Sequence, residues 1–244
     1  MEMRSSFVKG KMILLSMLIA FSLTSVFCNS LQGAPGSAIG YTISMENPNN
    51  HYFHISMVYS GLMDDDTELK MPVWTPGYYM IMDYPKNLLN FRVTDASGKD
   101  LPWKKTAKNR WKIKTAGVRT INISYDVYAF RVSVADSFLD DGRGFISPTG
   151  IYMYPAGRKD HPVTVTVKPY EKFREVSTGL DPVPGKEYTY YAPDFDVLYD
   201  CPILAGNQEI LKFETGGIPY TIAAENLGSL NRTELVNDFR RIVE

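Results

Sequence analysis

Histidine and cysteine are nearly missing from this chain: three and two respectively in 244 residues. Two cysteines allow at most one disulfide, and removal of the segment holding Cys28 would leave Cys201 alone, with no internal bridge open to it even in an oxidising compartment. No sign of charge dominates, since 26 Lys and Arg stand against 27 Asp and Glu. That balance supplies no basic field to condense onto nucleic acid and no acidic tail, so a nucleic-acid partner is excluded. G-x-S-x-G is absent, and "GRG" at 142–144 and "TGG" at 215–217 lead into strand patterns rather than helices, which removes a phosphate cradle.

Two of the histidines fall together in "HYFH", residues 51–54. A helical HExxH zinc site needs histidines four apart with a glutamate between them to act on the bound water. His51 and His54 are three apart, without a glutamate, inside an alternating pattern where odd spacing sends side chains to opposite faces of a sheet. His161 lies about a hundred positions away in a turn, and neither cysteine has a second at zinc spacing. No metal site and no catalytic residue is expected in this chain.

The first 30 residues have a different character. Arg4, Lys9 and Lys11 precede "MILLSMLIAFSLTSVF", an uncharged run shorter than the roughly 20 residues of a membrane span, and this reads as an export signal. Cleavage after Ser30 and lipidation at Cys28 both stay open, although Phe27 is bulky for a lipidation box. Residues 31–39 form a small-residue linker. An exported, periplasmic or secreted protein follows, with a membrane reached only through the signal or a Cys28 lipid anchor.

From residue 40 apolar and polar residues alternate with period two, in "YTISME", "HYFHISMVYS", "NLLNFRVTD", "RWKIKT", "TINISYDVYAF", "HPVTVTVKP", "EILKFET" and "IPYTIAA". Turn residues such as "NPNN", "ASGKD" and "PVPGKE" separate them. The fold class is mainly β, an antiparallel β-sandwich or a pair of saddle-shaped sheets over residues 40–224. Only "NRTELVNDFRRIVE" changes period: Asn231 can cap, Glu234 completes a capping box, and Leu235, Phe239 and Ile242 share a face. Residues 225–244 therefore read as the start of an α domain whose apolar stripe runs off at Glu244 with nothing to pack on.

The least ordinary stretch is "ELKMPVWTPGYYMIMDYPKNLLNFRVTDASGKDLPWKKTAKNRWKIKT", where Trp74-Thr75-Pro76-Gly77 makes a turn that exposes Tyr78, Tyr79, Asp83 and Tyr84. Its order, MPVWTPG, then YxxxDYxxN, then LPWxKTxKNxW, resembles the N-terminal β-domain of the glycyl aminopeptidase-like zinc metallopeptidases, metallopeptidase family sixty-one. "YDVYAFRVSVADSFLDDGRGF", "YPAG" and "YYAPDFDVLYDCPILAG" resemble that family's later elements in the right order, so the likeness runs through residues 40–244.

The resemblance implies an exported aminopeptidase in which this β-domain precedes a zinc domain carrying HExxH. The chain would then be the non-catalytic, substrate-side portion, inactive alone, with zinc as cofactor and peptide as partner only through a downstream catalytic domain. Tyr78, Tyr79, Asp83 and Tyr84 are its candidate substrate-binding residues, a structural turn cluster being the competing reading. Trp74, Trp103 and Trp111 read as core and hairpin residues. Glu225-Asn226 shares only two letters with the GxMEN signature of related aminopeptidases. A free-standing exported β-sandwich that binds peptide or glycan is the alternative function.

Overall fold

The computed structural model describes residues 38–75 and 77–244. The signal segment, Cys28 and most of the linker lie outside these residues.

The largest sheet has seven strands, in the order Asp181–Pro182, Thr189–Ala192, Val163–Lys168, Ile39–Ser44, Tyr52–Ser60, Thr120–Tyr128 and Leu88–Asp95. Alternation sets its two faces: Tyr41, Ile43, Phe53, Ile55, Met57, Ile121, Ile123, Tyr125 and Val165 turn inward and are buried, while Thr42, Ser44, His54, Ser56, Ser124 and Asp126 turn outward. One neighbouring pair departs from the expected antiparallel plan, because Ile39–Ser44 and Val163–Lys168 run parallel. Two four-stranded sheets share the core. One is ordered Tyr154–Pro155, Asp66–Lys70, Arg110–Lys114, Trp103–Ala107, and the other Glu175–Thr178, Ile203–Gly206, Arg143–Ile146, Phe138–Leu139. Leu69, Trp111 and Ile113 from the first and Leu139, Ile146 and Ile203 from the second join one apolar cluster with the large sheet. The fold is mainly β, as expected, and it is not a barrel.

A separate hairpin, Glu209–Thr215 with Ile218–Ala224, turns on Gly216 and Gly217. Both glycines have positive φ, 57° and 76°, as a two-residue hairpin turn of matching twist requires. The helix Arg232–Val243 rests on this hairpin: Asn231 caps its first turn, Arg232 forms a fork with both Glu209 carboxylate oxygens, and the Arg240 guanidinium lies 5.7 Å over Phe213. The stripe expected to lack a partner is thus partly supported, yet no helix residue is buried, and Ile242 is 76% exposed. A second helix, Phe195–Asp200, is not among the elements that the sequence period predicts. It is capped by Asp194, whose carboxylate accepts a 2.8 Å bond from the Val197 N–H.

Three tyrosines hold a buried segment that has no ladder of its own. Tyr41, Tyr125 and Tyr199 donate to the carbonyls of Met153, Ile151 and Tyr152 respectively, and the Tyr125 hydroxyl also accepts from the Met153 N–H at 3.3 Å. Buried main-chain groups outside sheets need such partners. The clamp fixes Pro148–Gly150 just upstream, and that turn supports the loop considered next.

His51 corrects the strand reading of "HYFH". It lies outside the strand, in left-handed conformation with φ 63°, closing the short 3-10 turn Pro48–Asn50. Its Nδ1 is 2.6 Å from the Leu139 carbonyl, and its ring stacks on Phe130 with centroids 3.7 Å apart.

Candidate functional site

The loop from Met71 to Asn87 is shaped by its own backbone. Gly77 takes φ 78°, the Tyr78 N–H donates to the Thr75 carbonyl at 3.1 Å, and the Met82 N–H donates to Val73. This closes a tight excursion whose tip has no core beneath it. Tyr79 is 91% exposed, Ile81 78% and Met80 59%, while Tyr78 is half-buried.

Of the four residues singled out in the sequence, three stay at the surface and one does not. Asp83 is exposed, with the Lys108 ammonium 3.6 Å from its Oδ2. Tyr84, expected at the surface, is 4% exposed. Its ring packs so closely on Gly150 that a Cβ added there would meet Tyr84 Cδ1 at 3.0 Å. Burial pushes the Tyr84 phenol up, the Thr149 hydroxyl offsets part of this, and Asp136 and Tyr78 add to it. Tyr84 is the anchor of the loop, and apolar neighbours rather than solvent decide its position.

Beside the loop lies a pocket of about 300 Å³ lined by Val73, Trp74, Tyr154, Lys159, Asp196 and Asp200, among others. Trp74 is 51% exposed there, so it is a pocket wall and not the core residue expected. Trp111 is fully buried, and Trp103 stands edge-on to Phe91 at 4.7 Å on its hairpin. Asp196 pairs with Lys159 at 2.6 Å. Sequence reasoning missed Asp196 and Asp200, which the short helix after Asp194 carries to the pocket; the Asp194 cap was the available signal.

A second exposed loop, residues 130–137, has its base pinned by Ser147, whose N–H donates to Ser137 and whose hydroxyl donates to the Ala135 carbonyl. Phe130, Val132 and Val134 project from it, the last 81% exposed. Glu225 is engaged by Arg143 at 2.7 Å beside Asn226, in a pocket with Asp140 and Phe138. Asp140 forms a polar turn, accepting from the Gly142 and Arg143 N–H groups.

Zinc does not fit the donors in hand. Among the described residues no three His, Cys, Asp or Glu side chains gather as ligands would, and the histidines are taken up separately, His51 on Leu139, His54 on Asp126 and His161 on Asp160. No hydrolytic step is assigned to these residues. No helix among them is long and apolar enough to cross a membrane.

The described residues form a mainly β domain that raises aromatic loops beside a pocket lined by Asp196 and Asp200. Compared with known families, residues 40–207 match the Peptidase M61 N-terminal domain, and the chain belongs to that family. Among solved structures, an aminopeptidase N family protein from Idiomarina loihiensis is similar, with 27% identity and a TM-score of 0.79. The match covers 84% of this chain and 35% of that one, so this chain spans about a third of that protein's length. Curated proteins give no match.

Proposed function

We propose that this domain forms the substrate-side wall of an exported zinc aminopeptidase, with hydrolysis carried by a catalytic domain beyond the described residues. The Tyr78–Asp83 loop carries this reading. Three consecutive large apolar side chains more than half exposed, on a backbone anchored by a buried tyrosine, are costly in water unless they meet a ligand or a neighbouring domain. A wall on the amino-terminal side of a peptide has use for both features present, aromatic faces for side chains and carboxylates for the free ammonium. Asp83, Asp196 and Asp200 supply the carboxylates, though Lys108 and Lys159 already share the charge of the first two.

The experiment is photocrosslinking. In an aminopeptidase bearing this domain, a benzophenone amino acid at Tyr79 should crosslink to a bound peptide analogue with a free amino end. The same group at Tyr191, on the large sheet, should not. Equal labelling from both positions, or none from Tyr79, contradicts the proposal.

A further inference from the structure

A pocket of about 400 Å³ opens on the outward face of the seven-stranded sheet, and none of its lining residues belongs to the loop just described. The register builds it. Lys168, Ser44, His54 and Asp126 stand opposite one another in a single row across four adjacent strands. Even spacing along each strand adds Thr42, Ser56 and Ser124 to the same face.

The centre of this row is organised beyond what a solvated face needs. Asp126 Oδ1 is 2.6 Å from His54 Nδ1, and Asn90 Nδ2 donates to Asp126 Oδ2 at 2.7 Å. Asn90 reaches the carboxylate because the ladder shifts register between Leu89 and Arg92 and Asn90 takes φ 54°. A bulge that re-aims one side chain is a common device at sites. A carboxylate oxygen can only accept, so His54 Nδ1 is the donor of this contact. Each Asp126 oxygen keeps lone-pair capacity for another donor.

Ser44, His54 and Asp126 have the residue types of an acyl-transfer relay, and the sheet argues against one. Such chemistry needs N–H donors aimed at a developing oxyanion. The three strands here are interior strands whose backbone N–H groups are committed to neighbours on both sides, and among the described residues no hydrogen bond joins His54 to Ser44. Without such donors the row has the chemistry of a binding surface rather than of a cleavage site.

Its chemistry selects the ligand. The Asp126 carboxylate and the Lys168 ammonium cancel in formal charge, and the other outward-facing side chains of the lining are hydroxyls, an amide and an imidazole. One step along the strands, roughly 7 Å away, Tyr52 and Tyr128 stand opposite each other with ring centroids 5.3 Å apart, and Tyr128 is 40% exposed. A pyranose has an apolar C–H face and a rim of hydroxyls that each donate and accept, which matches an aromatic platform beside a neutral polar pocket. We propose that this face is a binding site for a neutral oligosaccharide, one ring packed on Tyr128 and the next held by Asp126, His54, Asn90 and the Ser44 and Ser56 hydroxyls.

The test is titration of the full chain with hexasaccharides of glucose, mannose, xylose and N-acetylglucosamine at millimolar concentration, read by saturation-transfer NMR, with sodium sulfate and sodium phosphate as anionic probes. At least one saccharide should bind, and Tyr128→Ala and Asp126→Asn should each weaken it about tenfold or more. Circular dichroism of both variants should match the parent, and Ser44→Ala gives a third variant with minimal disturbance. Tyr79→Ala should leave saccharide binding unchanged, which separates this site from the peptide wall. Binding of no saccharide in the set, binding indifferent to Tyr128 and Asp126, or binding of the anions alone through Lys168 would each overturn the proposal.

Discussion

The tyrosine clamp predicts that one substitution, Tyr to Phe, gives opposite results at two fully buried positions. Tyr125 donates to the Ile151 carbonyl at 2.7 Å and accepts from the Met153 N–H at 3.3 Å. Phenylalanine at position 125 leaves both main-chain groups in a space sealed from water, and an orphaned buried group costs about 1–3 kcal/mol. At about 2–4 °C per kcal/mol for a domain of this size, Tyr125→Phe should lower Tm by roughly 2 to 12 °C. Tyr152 is equally buried, but its hydroxyl has no hydrogen-bond partner. Tyr152→Phe keeps the edge-on contact with Tyr41, at 5.0 Å between centroids, and removes an unsatisfied polar atom. It should be neutral or stabilising by up to about 1 kcal/mol. Urea and thermal unfolding of the two variants beside the parent decide the matter. Equal losses at both positions, or no loss at Tyr125, would show that the clamp does not hold the segment beneath the loop.

Alkali gives a second prediction with a definite sign. Burial holds the phenols of Tyr41, Tyr125, Tyr152 and Tyr199 well above their ordinary value and pushes Tyr190 up to about 12. Below about pH 10 folded and unfolded states both keep these protons; above it only the unfolded chain loses them, so stability falls as pH rises, by up to about 1.4 kcal/mol per pH unit for each tyrosine. Urea midpoints flat from pH 7 to 9 and falling from 10 to 11 (roughly, on the same basis) are expected; a flat profile throughout would contradict the burial. Asp194→Ala, which strips the cap from the short helix, should cost about 1 kcal/mol in a urea series, while Asp196→Ala, an exposed position on that helix, should cost less. Deleting residues 232–244, which bury no side chain, should leave the main unfolding transition almost unchanged.

Most strands could be read before the structure because one buried face imposes strict alternation, as in "TINISYDVYAF", whose Ile121, Ile123, Tyr125 and Val127 all point inward. The helix Phe195–Asp200 was not legible. It spans six residues between Pro193 and Pro202, too short for a 3.6-residue period to register. His51 is a different case: its positive φ belongs to the preceding turn and delays the strand to Tyr52, and nothing in "HYFH" announces that. In the candidate site, Tyr78, Tyr79 and Asp83 were visible as a surplus of aromatics after a Pro-Gly turn. Tyr84 follows the same pattern, yet it faces inward because the 3-10 turn Tyr84–Asn87 rotates it onto Gly150. The His54–Asp126–Asn90 chain lay beyond sequence reasoning, since only strand register brings together residues 72 and 36 positions apart.

The substrate wall is tested most directly by the charge at Asp83 in an aminopeptidase that carries this domain. The measurement is competitive inhibition by a slowly cleaved peptide with a free amino end and by its N-acetylated counterpart, in the parent, Asp83→Asn and Lys108→Ala. Asp83 is about half exposed and shares its charge with Lys108, so the preference for the free amine should fall by a modest factor, about fivefold or less, in Asp83→Asn. It should rise in Lys108→Ala, which releases the carboxylate. Unchanged preference in both variants, or shifts of the same sign, would contradict a substrate-side role for this loop.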